Sequence, residues 1–324
     1  MTELRATPPL TGAGLENPTN AADATSGPEG QRPGVEPSQV ARPERNPRRR
    51  PSIGQALYLV ALLAATAAFV YPLVWLVSAS LKPKSQVFDN RLIPKTVQWS
   101  NFVEVWNAGP VLRWLVNSVT VGLMAATAVT LSSALVAFGF AYFRFRFRGL
   151  LFGLVLSTMM LPSAVTMIPV YLIWNRLGLV DTQVPLWASN LFGTAFYIFL
   201  LRQFFLGVPR ELFEAARVDG CGYFGLFRRI ALPLCRPALI IVFVFELKAS
   251  WSDLMKPLIY LQTPEYFTLP RGLKQIVDAF ALSGEYHWEI AMAATLIATL
   301  PMIIVFAFAQ RHILDGIATS AKQG

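Results

Sequence analysis

The chain has 324 residues, of which 54% are hydrophobic and only 15% are charged. A soluble domain of this composition would expose a large apolar surface, so the composition indicates a membrane protein. The formal net charge of +9 would suit a nucleic-acid-binding protein. The basic residues are however clustered in loops between apolar runs, which argues against nucleic acid as a partner and for a membrane.

The first 51 residues differ from the rest of the chain. They are rich in Pro, Gly, Ala, Glu and Arg, show no hydrophobic periodicity and end in Arg48-Arg49-Arg50. Such a segment cannot bury enough apolar area to offset the entropy of ordering it. We therefore predict a disordered N-terminal tail over residues 1–51 and a transmembrane domain over residues 52–324.

Six apolar runs make up the transmembrane domain. A helix needs about 20 residues to cross the hydrocarbon core, and only helices or closed barrels satisfy every backbone polar group in lipid. The runs are too long for barrel strands, so they predict an all-α, polytopic fold with six transmembrane helices. Pro162 and Pro169 predict kinks in the third helix. The predicted helices cover approximately residues 54–80, 114–142, 149–174, 184–206, 237–260 and 289–310.

The loops between these helices predict their orientation. Most Lys and Arg residues lie in the tail, in residues 143–148, in residues 202–236 and after residue 310. Because basic loops stay in the cytoplasm, both termini and the loop at about 207–236 are expected inside the cell. Residues 81–112 and 261–288 are then expected outside.

Residue types for catalysis or nucleotide binding are scarce. The two cysteines, Cys221 and Cys235, have no metal-ligand companions nearby and are expected to be reduced thiols. The only histidines are His287 and His312, and there is no Gly-x-x-x-x-Gly-Lys-Ser/Thr loop for phosphates. The sequence therefore predicts neither a catalytic set nor a metal site, and no nucleotide bound by this chain.

The loop at about 207–236 carries the most specific signal. Pro209 suits a helix start, Glu214 complements a helix N-terminus, and Gly220 can end a helix in the left-handed conformation. The pattern predicts one short helix before Gly220 and a second over residues 222–231 that stops before Pro233. The residues alone leave two interpretations open: a handle for a soluble partner, or a basic helix lying on the membrane surface.

The order of residues in this loop resembles the EAA motif of membrane subunits of bacterial ATP-binding cassette importers. That motif has Glu-Ala-Ala, a glycine four residues later, and an apolar-Leu-Pro sequence about a dozen residues further on. The matching residues, in order, are Glu214, Ala215, Ala216, Asp219, Gly220, Ile230, Leu232 and Pro233.

Three other passages resemble carbohydrate-importer permeases of the maltose-transporter MalG type, so the resemblance covers roughly residues 53–324. They are Trp251–Ile259, Tyr266–Gly272 and Gln310–Gly316. The chain departs from that pattern at Ser252, where Asn is usual, at Lys256, where Trp is common, and after Gly316.

The resemblance implies a type I importer permease fold in the bacterial cytoplasmic membrane, with a cytoplasmic C-terminal tail over residues 311–324. It implies a sugar or small oligosaccharide as cargo and a transport subunit rather than an enzyme, with ATP and Mg used by a partner ATPase. The loop at 207–236 would be the coupling loop, in which Glu214 contacts the ATPase and Gly220 supplies the bend. The implied partners are a second homologous permease, a cytoplasmic ATPase dimer and an extracellular solute-binding protein.

The fifth predicted helix carries four charged residues, Glu246, Lys248, Asp253 and Lys256. Charges within a membrane are costly and usually face a cavity or a partner. Glu246 and Asp253 are seven residues apart, so on one helix they would share a face and could line a translocation path. Alternatively, the charges pair with a partner subunit or reach the outer interface; Asp253 and Lys256 are spaced to pair with each other.

Three other functions compete with a sugar importer. The cargo could be a non-sugar solute such as glycerol phosphate or a polyamine. The chain could be an ion-coupled transporter that works alone through the charges of the fifth helix, or a membrane scaffold without transport. The EAA-like loop argues against the last two.

Overall fold

The computed structural model describes residues 53–89, 91–282 and 286–321, and over these residues it contains helices and no strand. The tail predicted over residues 1–51 lies outside the described residues. The helices, in chain order, are α1 Ile53–Ser80, α2 Ser100–Asn107, α3 Val111–Tyr142, α4 Arg148–Ser157, α5 Ser163–Arg176, α6 Val184–Ala188, α7 Ala195–Leu206, α8 Arg210–Val218, α9 Tyr223–Leu226, α10 Leu232–Leu234, α11 Arg236–Ser252, α12 Met255–Tyr260, α13 Leu269–Leu282 and α14 Trp288–Ala321.

Long apolar helices agree with the predicted membrane spans. Within the described ranges, α1, α3 and the Trp288–Gln310 part of α14 are each long and apolar enough to cross a membrane. Three further spans arise if bent helix pairs are counted as one: Arg148–Met160 with α5 at 100°, Val184–Phe192 with α7 at 41°, and Tyr223–Leu234 with α11 at 80°. The all-α, six-span fold class is confirmed.

The third span is broken where proline predicted a kink. A 3-10 turn over Thr158–Met160 is followed by an extended residue at Leu161 and by Pro162, after which α5 begins. The residue before a proline avoids the helical region, so a break at this point is expected. Pro169 lies inside α5, which continues through it.

The prediction of one continuous fifth helix over residues 237–260 is wrong. Helix α11 ends at Ser252, Asp253 is extended with ψ 118°, and α12 starts afresh at Met255. The Asp253 carboxylate accepts a hydrogen bond from the Lys256 N–H at 3.2 Å, competing with the helical backbone pattern. The predicted continuous helix is therefore interrupted at Asp253, the residue directly after the end of α11.

The predicted sixth span, residues 289–310, agrees with the apolar part of α14, Trp288–Gln310. The helix itself continues to Ala321, within the tail predicted over residues 311–324. The polar residues after Gln310 end the apolar run but contain no proline, and the helix extends beyond the span through them.

Helix α3 is the centre of the molecule. It packs against α7 and α11 along most of its length and against α6 and α13 near its start. Its buried face contains small residues that allow neighbouring helices to approach closely. These are Gly122, Ala125, Ala126, Ser133, Ala134 and Ala137.

Each end of α3 anchors one group of loops. At its C-terminal end, Phe138 lies in a cluster with Phe205, Phe213 and Phe227. At its N-terminal end, Trp114 lies in a cluster with residues of α13 and of the segment before it. A Cβ at Gly272 would lie 2.1 Å from the Trp114 ring, so only glycine lets α13 pack there.

Candidate coupling surface and transport path

Helix α8 and the turn that ends it form the first half of the predicted loop. Helix α8 starts directly after Pro209, and the N–H of Asp219 closes its last turn on the Ala215 carbonyl. Gly220 then takes the left-handed conformation with φ +81°, and the Cys221 N–H bonds to the Ala216 carbonyl at 2.9 Å. These are the bonds of a glycine-terminated helix, and the predicted bend at Gly220 is confirmed.

One aromatic side chain fixes α8 against the membrane-spanning helices. Phe213 is 4% exposed and is the only residue of α8 that is buried. Its ring centroid lies 5.2 Å from that of Tyr142 and 6.1 Å from that of Phe138. These two rings belong to the C-terminal end of α3, so Phe213 connects α8 with the central helix.

The opposite side of α8 is largely exposed. Glu214, Ala215, Asp219 and Gly220 are exposed there, Ala216 is half-buried, and Val218 is 89% exposed. We call the five exposed residues, Glu214, Ala215, Val218, Asp219 and Gly220, the coupling surface. It combines two carboxylates with small or apolar side chains, so it can enter a narrow groove and still make polar contacts.

The second half of the loop differs from its prediction. Helix α9 continues through a π-helical turn, Phe227–Ala231, into α10, so Pro233 lies inside a helical segment instead of stopping one. The wider turn removes the regular geometry in which the proline ring would clash with the carbonyl four residues earlier. The chain bends instead at Cys235. Both cysteines are free thiols, as expected.

Glu246 lies in a polar network beside a break in the fourth span. Its carboxylate accepts a hydrogen bond from Asn190 Nδ2 at 2.6 Å. The same Asn190 amide reaches the Ala125 carbonyl of α3 at 3.3 Å. The network therefore ties α11 to α3 and to the turn before α7. A role for Glu246 in a translocation path stays a prediction.

The break in the fourth span is centred on Gly193. This residue has φ +76°, and a Cβ on it would lie 3.3 Å from Ser133 Oγ. The next backbone N–H, of Thr194, donates to Ser133 Oγ at 3.2 Å, and Ser132 Oγ donates to the Asn190 carbonyl at 3.0 Å. Side chains of α3 thus satisfy backbone groups that the interrupted helix leaves open.

Asp253 lies directly after the end of α11. Besides receiving the Lys256 N–H, its carboxylate lies 3.6 Å from the Lys256 ammonium, so the predicted pairing of these two residues is confirmed. Its place on a translocation path, like that of Glu246, stays a prediction.

A cavity of about 690 Å³ is lined by residues of α7, α11 and α14. Its polar lining consists of Tyr197, Lys248 and Thr299. Sequence reasoning noticed the charge of Lys248 but did not single it out. Its spacing of two residues from Glu246 was the available signal, because it turns the two side chains about 200° apart on a helix.

The loops at the far end of α3 are held by buried polar contacts. Asp181, at φ +62°, accepts hydrogen bonds from the backbone N–H groups of Gln262 and Thr263 at 2.8 and 2.9 Å and from the Thr263 hydroxyl. These bonds, the hydroxyl's first, hold the pKa of the Asp181 carboxyl below its usual range. Lys82 is fully buried, and its ammonium lies 2.6 Å from the Asp89 carboxylate, whose pKa it lowers.

The helical bundle, its broken spans and the exposed loop helix define a multi-pass membrane transport protein. Residues 118–318 match the family described as "Binding-protein-dependent transport system inner membrane component". The chain belongs to this family.

Relatives and solved structures agree with this assignment. The chain is 31% identical over 261 residues to the arabinooligosaccharides transport system permease protein AraQ of Bacillus subtilis (strain 168), covering 79% of this chain and 91% of the relative. It is 31% identical to the lactose transport system permease protein LacG of Rhizobium radiobacter, covering 85% and 98%. A chain of a bacterial ABC transporter involved in import of the acidic polysaccharide alginate has the same fold, with a TM-score of 0.69, 22% identity and coverage of 80% and 96%.

Proposed function

We propose that the chain is one of two permease subunits of an ATP-binding cassette importer that takes up a sugar or small oligosaccharide. Family membership supports the transport role, and the named cargoes of the two relatives, arabinooligosaccharides and lactose, support the cargo class. The observation that carries the proposal is the coupling surface, the exposed part of a glycine-terminated helix whose buried Phe213 packs against the central span.

The proposed motor is a cytoplasmic ATPase dimer that grips the coupling surface and uses ATP and Mg. Such a motor performs work on the permease only if it binds the two conformations with different free energies. Glu214 supplies the polar contact and Gly220 the bend, while Phe213 passes the displacement to α3. The coupling loop at about 207–236 and both chain termini then lie in the cytoplasm of a bacterial cell, with α2 and α13 outside, facing a solute-binding protein.

Co-purification and uptake test this proposal together. The tagged protein, extracted in mild detergent, should bring down an ATPase subunit and a second permease, identified by mass spectrometry. Vesicles containing this complex and the solute-binding protein should accumulate labelled arabinooligosaccharide or lactose only when ATP is supplied to the ATPase side. Transport by the purified chain alone, driven by an ion gradient, would contradict the proposal.

Two substitutions test the coupling surface. Glu214→Lys together with Gly220→Val should lower ATP-driven uptake about tenfold or more, because they remove the contact and force a β-branched residue to φ +81°. Gly222→Val is the matched control, since Gly222 is exposed and has φ −71°, which valine adopts without strain. Wild-type uptake by the double variant would rule out this coupling role.

A further inference from the structure

The cavity between α7, α11 and α14 combines three polar groups with apolar walls. Tyr197, Lys248 and Thr299 offer two hydroxyls and one ammonium, while the walls are formed by Val244, Phe245, Met302, Ile303 and Phe306. Its volume of about 690 Å³ falls in the range of small-molecule sites. Concave shape and sparse polar groups are the usual features of such sites.

Lys248 is the exceptional group in this lining. It lies in α11, an apolar helix, and the described side chains place no carboxylate within ion-pair distance of its ammonium. Lys256, by contrast, has Asp253 at 3.6 Å. A lone cation in a membrane span is costly and normally meets an anion or water in a cavity.

The nearest acid along the chain does not serve as that anion. Glu246 points about 200° around α11 from Lys248, and its carboxylate accepts a hydrogen bond from Asn190 at 2.6 Å. Glu246 does not line the cavity, whereas Lys248 does. The positive charge of Lys248 is therefore unmatched by the chain's own described side chains and attracts an anion that arrives from outside it.

We infer that this cavity accepts a sugar that carries a negative charge, as a carboxylate or a phosphate ester, and that Lys248 pairs with that charge during passage. The hydroxyls of Tyr197 and Thr299 are suited to the sugar's own hydroxyls, and the apolar walls to its ring faces. This inference rests on the proposed function, and it narrows the cargo from sugars in general to acidic sugars.

Uptake by the whole importer tests the inference. The complex of both permeases, ATPase and solute-binding protein is reconstituted in liposomes, and ATP-driven uptake of three labelled probes is compared: digalacturonate, glucose 1-phosphate and lactose. The wild type should import at least one acidic probe, and which one identifies carboxylate or phosphate as the favoured anion. Lys248→Met should lower uptake of that probe about tenfold or more, without lowering lactose uptake.

Two further variants separate charge from structure. Lys248→Arg should keep uptake of the acidic probe, because it keeps the positive charge, although with altered geometry. Lys256→Met, which removes a cation that already has a partner in Asp253, should leave the preference for the acidic probe unchanged.

Four results would overturn the inference. The first two are import of lactose alone by the wild type and equal loss of all probes in Lys248→Met. The third is loss of the second permease from the purified Lys248→Met complex, which would mean that Lys248 pairs with a carboxylate of that subunit. Import of none of the probes by an intact complex with active ATPase would also overturn it. A purified chain that carries no ATPase at all would instead contradict the proposed function.

Discussion

Phe213 anchors α8 to the membrane-spanning helices while its neighbours in sequence stay exposed. Its ring is buried among Phe138 and Tyr142, while the residues next to it in sequence, Leu212 and Glu214, are exposed. Phe213 is therefore the buried anchor of the helix, while most of the other residues of the helix remain exposed to a partner.

Replacing Phe213 by Ala should loosen α8 from α3. Large-to-small changes of a buried Phe cost about 3 to 5 kcal/mol, so the detergent-solubilised variant should unfold at lower temperature or denaturant concentration. ATP-driven uptake should fall as well, since the displacement of α8 no longer reaches α3. Phe224→Ala is the control, because that ring is 70% exposed. Equal effects of the two substitutions on stability would contradict an anchoring role.

The residues of the loop could be predicted well, and the residues of the cavity could not. The bend at Gly220 depends on local chain chemistry, because glycine alone adopts its φ of +81° without strain. The role of Lys248 depends on which neighbours surround α11, and that is set by packing rather than by the local sequence. The charge of Glu246 is evident in the sequence, but its hydrogen-bond partner, Asn190, is 56 positions away in the chain.

At the scale of elements, Asp181 joins two loops that are distant in sequence. It connects the loop between α5 and α6 to the segment after α12 through three hydrogen bonds to its carboxylate. Its own N–H donates to the Tyr260 carbonyl at 2.8 Å. The loops at this end of the molecule are thereby held together as one platform.

Asp181→Asn should destabilise this platform by about 2 kcal/mol, the typical value of hydrogen bonds to a charged group. Asn tolerates the left-handed backbone, so the change isolates the loss of charge. Thermal unfolding in detergent would measure the effect. Asp278→Asn serves as control, since its exposed pair with Lys274 contributes little. A loss of stability no larger than that of Asp278→Asn would exclude a stabilising role for the hydrogen bonds of Asp181.

The same carboxylate predicts a dependence on pH. Its pKa is lowered in the folded protein, so its contribution to stability is fully present above the ordinary Asp pKa of about 4. The contribution is lost as the pH falls through the lowered folded-state value. The stability difference between wild type and Asp181→Asn should therefore be constant from pH 7 to pH 5 and shrink towards pH 3. A difference that grows on acidification would have the wrong sign.

Element boundaries were predictable where proline or glycine set them and not where side chains did. Pro162 and Gly220 mark real interruptions. Asp253 ends α11 because its carboxylate accepts the Lys256 N–H, an interaction that hydropathy does not report. Pro233 was expected to stop a helix, but a π-helical turn before it accommodates the ring.

At the scale of the molecule, α3 connects two ends of different character. Its C-terminal end meets the arginine-bearing loop at 143–148 and the coupling surface, whereas its N-terminal end meets α13 and the Asp181 platform. Hydropathy was sufficient to predict the membrane spans, because it depends on composition over long segments. The orientation that loop charge predicts stays a prediction.

Chemical labelling tests this orientation. In a background with Cys221→Ser and Cys235→Ala, a membrane-impermeant maleimide added to intact spheroplasts should label Lys274→Cys but not Arg146→Cys. After lysis both should react, because both positions are exposed in the fold. Labelling of Arg146→Cys before lysis would place the coupling surface outside and contradict the orientation.

The break at Gly193 has a consequence for how the protein is made. Backbone groups there form hydrogen bonds with Ser132 and Ser133 of α3 rather than within their own helix. An isolated fourth span would carry backbone N–H and C=O groups without hydrogen-bond partners into the lipid, whereas beside α3 those groups are hydrogen-bonded to serine side chains. Since α3 is synthesised before the fourth span, it is already present when the fourth span enters the bilayer. The order of synthesis is therefore part of the folding mechanism.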